Sequence, residues 1–123
     1  MSLLTDGLHH LSIRTTDLAR ATRFYTDTLG FQLVRERDGA VLLNAHGTLF
    51  GVLGAAPETS PEDRFDPFRV GLDHLALAVA NAESLYELKQ QLDAAVRIAR
   101  WRSSSAQILI LQIGVFVRFE QRP

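Results

Sequence analysis

The phrase Gly7-Leu8-His9-His10-Leu11 returns 64 residues later as Gly71-Leu72-Asp73-His74-Leu75. Each copy leads directly into a helix-like segment. A chain that repeats a strand and its following helix in this way is constrained to build one small supersecondary unit twice. It also carries a histidine to the same place in each copy.

In the first copy Leu11, Ile13 and Thr15 alternate with His10, Ser12 and Arg14. Strand side chains point to opposite faces with period two, so one face is apolar and the other can do chemistry. In the second copy Leu75, Leu77 and Val79 alternate with His74, Ala76 and Ala78, which again sets the histidine among the smaller side chains. Thr16 or Asp17 can cap a helix with Leu18, Ala21, Phe24, Tyr25 and Leu29 at helical spacing, and Gly30 is placed to end it. Asn81 can cap a second helix bearing Leu85, Leu88, Leu92 and Ala95 on one stripe. Each helix is expected to cover the apolar face of its strand, leaving the histidine face open.

Three strand-like runs follow the first helix, Phe31 to Arg37, Ala40 to Ala45 and Thr48 to Leu53, separated by Asp38-Gly39 and His46-Gly47 turn signals. Three more follow the second: Val96 to Trp101, Ala106 to Gln112 and Val115 to Gln121. The predicted fold class is α+β, with two βαβββ modules in a single domain. Module one spans 7–54, a Pro-rich and acidic linker spans 55–70, and module two spans 71–121. At 123 residues the chain is long enough for one ordinary core and too short for two large independent domains.

The charge balance narrows the function classes. With 13 Lys+Arg against 14 Asp+Glu there is no basic field for a nucleic-acid backbone or an anionic bilayer. The expected partner is a small molecule or another protein. No cysteine is present, so any metal must be held by His, Asp or Glu. No apolar run reaches membrane-spanning length, and Met1-Ser2-Leu3-Leu4 lacks the pattern of a signal peptide. A cytoplasmic protein is the expectation.

The run His10-Leu-Ser-Ile-Arg-Thr-Thr-Asp17-Leu18, with Phe24-Tyr25 and Leu29-Gly30-Phe31 after it, resembles the opening of the vicinal oxygen chelate superfamily. That superfamily includes glyoxalase I, extradiol dioxygenases, and fosfomycin and bleomycin resistance proteins. His74 in Gly-Leu-Asp-His-Leu-Ala-Leu-Ala-Val matches the start of its second module, and the match extends over residues 7 to about 96. The resemblance implies paired modules whose sheets curl round a central cup, and a homodimer. It further implies a divalent metal (Zn, Fe, Mn or Ni) at the cup floor, with His10 and His74 as ligands from the first strand of each module and a carboxylate completing the set. Such a metal would act as a Lewis acid, chelating two neighbouring oxygens of a small-molecule substrate, in a lyase or a dioxygenase. The other activity class that the family offers is a metal-free protein that sequesters a ligand, as in bleomycin resistance.

The last strands depart from the family pattern. With Gly47 set against Gly114, the position four residues on is Gly51 in module one and Arg118 in module two, where catalytic members carry an acid or another ligand. Glu120 lies two residues beyond Arg118 on the same strand face. A register slip or bulge would be needed to bring it in as the third ligand. Arg118 admits another role, binding an anionic substrate. Arg14 can hold a substrate carboxylate through its planar fork, or form an ion pair across the sheet. Phe50, Phe116 and Trp101 can line a pocket, although aromatics in strands more often serve as core. His46, before a glycine in a turn, is expected to be solvated, and His9 to face the helix side or a strand edge. Family-like text stops near Ala95, which leaves ordinary divergence and a local change of reading frame both open over 97–113. The other two frames of the coding DNA separate them.

Overall fold

The chain divides into two units, Met1–Asp63 and Arg64–Pro123, in a computed structural model that describes residues 4–95, 102–105, 108–113 and 115–121. Both units are α+β, each with an open four-stranded mixed sheet.

Unit one contains β1 (His10–Arg14), α1 (Leu18–Arg23), a π-helical turn over Phe24–Thr28, β2 (Gln32–Arg37), β3 (Ala40–Ala45) and β4 (Thr48–Leu53). The sheet order is β1-β4-β3-β2. β1 runs parallel to β4, and the two hairpins β2–β3 and β3–β4 are antiparallel. A carboxylate oxygen of Asp17 accepts the Arg20 N–H at 3.0 Å, satisfying one of the free donors at the start of α1. The helical segment stops at Gly30, whose φ of 71° is the left-handed conformation that glycine adopts without a steric penalty. At the β3–β4 turn both His46 (φ 54°) and Gly47 (φ 113°) are left-handed. Positive φ at both central residues matches the twist of the flanking strands. The Asn44 side-chain oxygen holds that turn by accepting the Gly47 N–H at 2.7 Å.

The core of unit one lies between α1 with its π-turn and one face of the sheet. Ile13 from β1, Val41 and Leu43 from β3, and Phe50 and Val52 from β4 are buried with Ala21, Phe24, Tyr25 and Phe31. Tyr25 stacks on Phe31 with ring centroids 5.7 Å apart and meets the edge of Phe50 at 4.9 Å. Such paired aromatics supply much of a small domain's buried apolar area. The Tyr25 hydroxyl is buried without a hydrogen-bond partner among the described residues, and burial pushes its pKa well above the ordinary tyrosine value.

Unit two contains β5 (Leu75–Val79), α2 (Ala82–Ala95), β6 (Arg102–Ser105), β7 (Ile108–Ile113) and β8 (Val115–Gln121). Its sheet order is β5-β8-β7-β6, with β5 parallel to β8. Asn81 caps α2 by accepting the Ser84 N–H at 2.8 Å, the same cap in the same place as Asp17. α2 runs on through Ala94, the residue that stands where unit one has its helix-ending Gly30. The strand expected over Val96 to Trp101 lies outside the described residues, as does Trp101. The strand that precedes β7 is Arg102–Ser105 instead. Among the described residues no helix is long and apolar enough to cross a membrane.

Candidate functional site

The parallel pairing of β1 with β4 sets His10 beside Leu49, Ser12 beside Gly51 and Arg14 beside Leu53. Continuing across β3 and β2, the row from Ser12 and Gly51 reaches Leu42 and then Arg35. The row from Arg14 and Leu53 reaches Ala40 and then Arg37. The row from His10 and Leu49 reaches Asn44 and Gln32. These rows form the face turned away from α1. Exposure agrees with that assignment: His10, Ser12 and Arg14 are exposed, while Leu11 is half-buried and Ile13 buried.

Each singled-out side chain in unit one has a defined setting. His10 opens β1, and its Nδ1 lies 2.9 Å from Nδ1 of His9, the two rings edge to face. One nitrogen of that contact must donate and the other accept, so at least one imidazole presents an unprotonated Nδ1 there. The Arg14 guanidinium donates to the Gly54 carbonyl at 2.7 Å. The bond ties the side chain to a backbone oxygen and leaves donors over for the substrate carboxylate that the sequence allows. His46 is exposed as expected, yet its Nε2 lies 3.3 Å from the Leu29 carbonyl and its ring meets the edge of Phe31. It links the β3–β4 turn to the end of the helical segment.

Phe50 is corrected by its burial. It is 3% exposed and packs against Tyr25 and Phe31 on the helix-covered face, so it is core and not a lining of the open face. The signal was present in the sequence, since neighbours in a strand point to opposite faces and Phe50 adjoins Gly51. Ser12, Arg35 and Arg37 carry the open face more directly. A bulge between Leu33 and Arg35 decides the face on which those two arginines stand, and alternation alone does not give its position.

In unit two His74 stands one residue before β5, exposed, with Nδ1 at 2.6 Å from a carboxylate oxygen of Asp73. A carboxylate on Nδ1 fixes the tautomer and leaves Nε2 free for another partner. β5 sets Ala76 beside Arg118 and Ala78 beside Glu120. The register therefore pairs the second residue after each histidine with the position in question: Ser12 with Gly51, and Ala76 with Arg118. β8 pairs with both β5 and β7 in unbroken register, so no bulge moves Glu120 to the place of Arg118.

Neither of these two register positions supplies a ligand for a cation. Glycine offers no side-chain donor and arginine carries a positive charge. A Cβ built on Gly51 would collide with the Ser12 hydroxyl and stand 3.2 Å from Ser12 Cβ, so the serine already occupies that space. Among the described residues no group of three or more His, Cys, Asp or Glu side chains is placed to hold a metal ion.

Solved structures similar to this one share its fold. A glyoxylase/bleomycin resistance protein/dioxygenase domain from Frankia sp. EAN1pec matches with a TM-score of 0.79 at 21% identity, over 98% of this chain and 100% of that one. The fosfomycin resistance protein FosX from Listeria monocytogenes matches with a TM-score of 0.77 at 12% identity, over 98% of this chain and 94% of the other. The same FosX complexed with Mn(II) and sulfate ion gives a TM-score of 0.75 at 12% identity, over 98% and 93%. No curated protein is significantly similar in sequence. The profile of the Glyoxalase/Bleomycin resistance protein/Dioxygenase superfamily matches residues 7–102. With the repeated strand, helix and cap already in place, this chain belongs to that superfamily.

Proposed function

We propose that this protein binds a small molecule on the open sheet faces that carry His10 and His74, as a homodimer and without a resident metal ion. One observation carries the reading: at the strand position where the family resemblance calls for an acid, the register holds Gly51 beside Ser12 and Arg118 beside Ala76. Two imidazoles with no acid at either of these strand positions are poor ligands for a divalent cation that acts as a Lewis acid. They remain good hydrogen-bonding groups for a ligand. His10 offers a ring nitrogen beside the apolar Leu49, and His74 is oriented by Asp73. A few polar groups set against apolar surface are the ordinary make-up of a small-molecule site.

Fold membership alone does not choose between binding and catalysis, because one scaffold hosts many chemistries. Metal content decides. Protein purified without chelator is expected to contain less than about one tenth of an equivalent of Zn, Fe, Mn and Ni by elemental analysis. Stoichiometric metal that disappears in the His74→Ala variant would overturn the proposal. It would restore the metal-dependent reading, in which His10, His74 and Glu120 are the ligands.

A further inference from the structure

We infer that the open face of unit one selects a ligand that joins an oxyanion to an apolar body. The inference rests on the small-molecule-binding reading above and names the class of ligand. Three arginines share this face: Arg14 on β1, and Arg35 and Arg37 on β2. No acidic residue takes a register position on it among the described strands of unit one, since Glu36 pairs with the buried Val41 and so belongs to the other face. Between the arginines runs a half-buried apolar strip of Leu42, Leu49 and Leu53.

Physical chemistry converts that pattern into a preference. Three inter-strand steps of roughly 4.8 Å separate β1 from β2, so the two cationic borders lie about 14 Å apart across the strip. Arg35 and Arg37 are exposed and have no ion pair or hydrogen bond among the described residues, so their guanidinium forks are available. Arg14 spends one donor on the Gly54 carbonyl and keeps the rest. A planar fork bonds a carboxylate or phosphonate through two parallel N–H donors, and the bond is strengthened by the charge. A bare inorganic anion gains nothing from the leucines, and a neutral apolar compound gains nothing from the arginines. A ligand with both parts uses the whole face.

The test uses the full-length, ¹⁵N-labelled protein titrated with 2-naphthoate, with phenylphosphonate, and with the neutral 2-naphthamide. The acids are expected to move the amide resonances of Leu42, Gly51 and Leu53. The amide should bind about tenfold more weakly, the worth of roughly 1.4 kcal/mol in charge-assisted bonding. An Arg35→Gln/Arg37→Gln double variant should lose about tenfold for the acids and leave the amide unchanged, because both residues are exposed on an edge strand. Equal affinity for acid and amide, or indifference of the acids to the double variant, would overturn the anion preference and leave the small-molecule reading standing. Absence of any shift on this face with all three compounds would overturn both.

Discussion

The strand pairs β1–β4 and β5–β8 are built to one plan and furnished differently. Each pair is parallel, each has a histidine at or just before the start of its first strand, and each feeds a helix capped at the same offset by Asp17 or Asn81. On β1 the residues after His10 are Ser12 and Arg14, facing Gly51 and Leu53. On β5 the residues after His74 are Ala76 and Ala78, registered with Arg118 and Glu120. In both pairs a small residue sits beside the position that the family pattern reserves for an acid. What differs is the strand that contributes the bulk and charge, β1 in unit one and β8 in unit two. The backbone plan is therefore held by apolar alternation and capping, while the chemistry of the open face varies independently of it.

The largest expected effect separates the two apolar faces. Ile13 and Leu77 occupy equivalent positions, three residues after each histidine, but Ile13 is 7% exposed while Leu77 is only half-buried. Ile13→Ala should cost about 2–4 kcal/mol, through lost burial and the cavity left behind, and Leu77→Ala about half of that. Urea unfolding followed by circular dichroism measures both. A Leu77→Ala cost equal to or larger than that of Ile13→Ala would break the contrast between these two positions.

A second difference lies in the aromatic cluster. Unit one buries Tyr25 with its hydroxyl unpartnered among the described residues, whereas the equivalent position in unit two is the half-buried Lys89. Burial raises the folded-state pKa of Tyr25 above its ordinary value of 10.0. Below that pH both the folded and unfolded chains keep the phenolic proton. Above it the unfolded chain releases the proton first, so stability falls as pH rises, by at most about 1.4 kcal/mol per unit. Tyr25→Phe should match or exceed the parent by up to about 1 kcal/mol at pH 7, since it removes a buried donor that has no acceptor. Its advantage should widen between pH 10 and 11.5. Parallel pH profiles of the two proteins would contradict this account.

Much of the scaffold was legible in the residues themselves. The repeated phrase located both parallel strands, helical spacing located both helices, and Asp17 and Asn81 were readable as caps because a short acceptor side chain preceded an apolar-periodic run. Three features were not readable, for different reasons. The π-helical turn at Phe24–Thr28 carries the buried Phe24 and Tyr25, and helical spacing alone does not distinguish it from an ordinary turn. The β2 bulge, which decides the face of Arg35 and Arg37, leaves no mark in a strand that is exposed throughout. The bond from Arg14 to Gly54 joins residues 40 positions apart, and no local pattern reports it. The shared open face of His10, Ser12 and Arg14 followed from alternation. Phe50 belongs to the core by its parity in β4, which residue type alone does not reveal.

The finest test asks whether Gly51 is dictated by Ser12 or is merely tolerated. With glycine at 51, the Ser12 side chain has the space beside β4. A methyl group there would meet the hydroxyl and stand 3.2 Å from Ser12 Cβ and 3.7 Å from its Cα. The hydroxyl can rotate away because Ser12 is exposed, but the Cβ contact yields only if the strands shift. Gly51→Ala should therefore cost about 1 kcal/mol in the parent, with overpacking outweighing the reduced chain entropy of alanine. In a Ser12→Gly background the obstruction is gone, and the same change should stabilise by about 0.5 kcal/mol, the ordinary gain of alanine over glycine in a regular element. The coupling, read from the four unfolding curves of a double-mutant cycle, would be roughly 1.5 kcal/mol. If Gly51→Ala is harmless with Ser12 in place, the pair has slack that a larger side chain could use. Steric closure of the acid position in unit one would then no longer support a metal-free site.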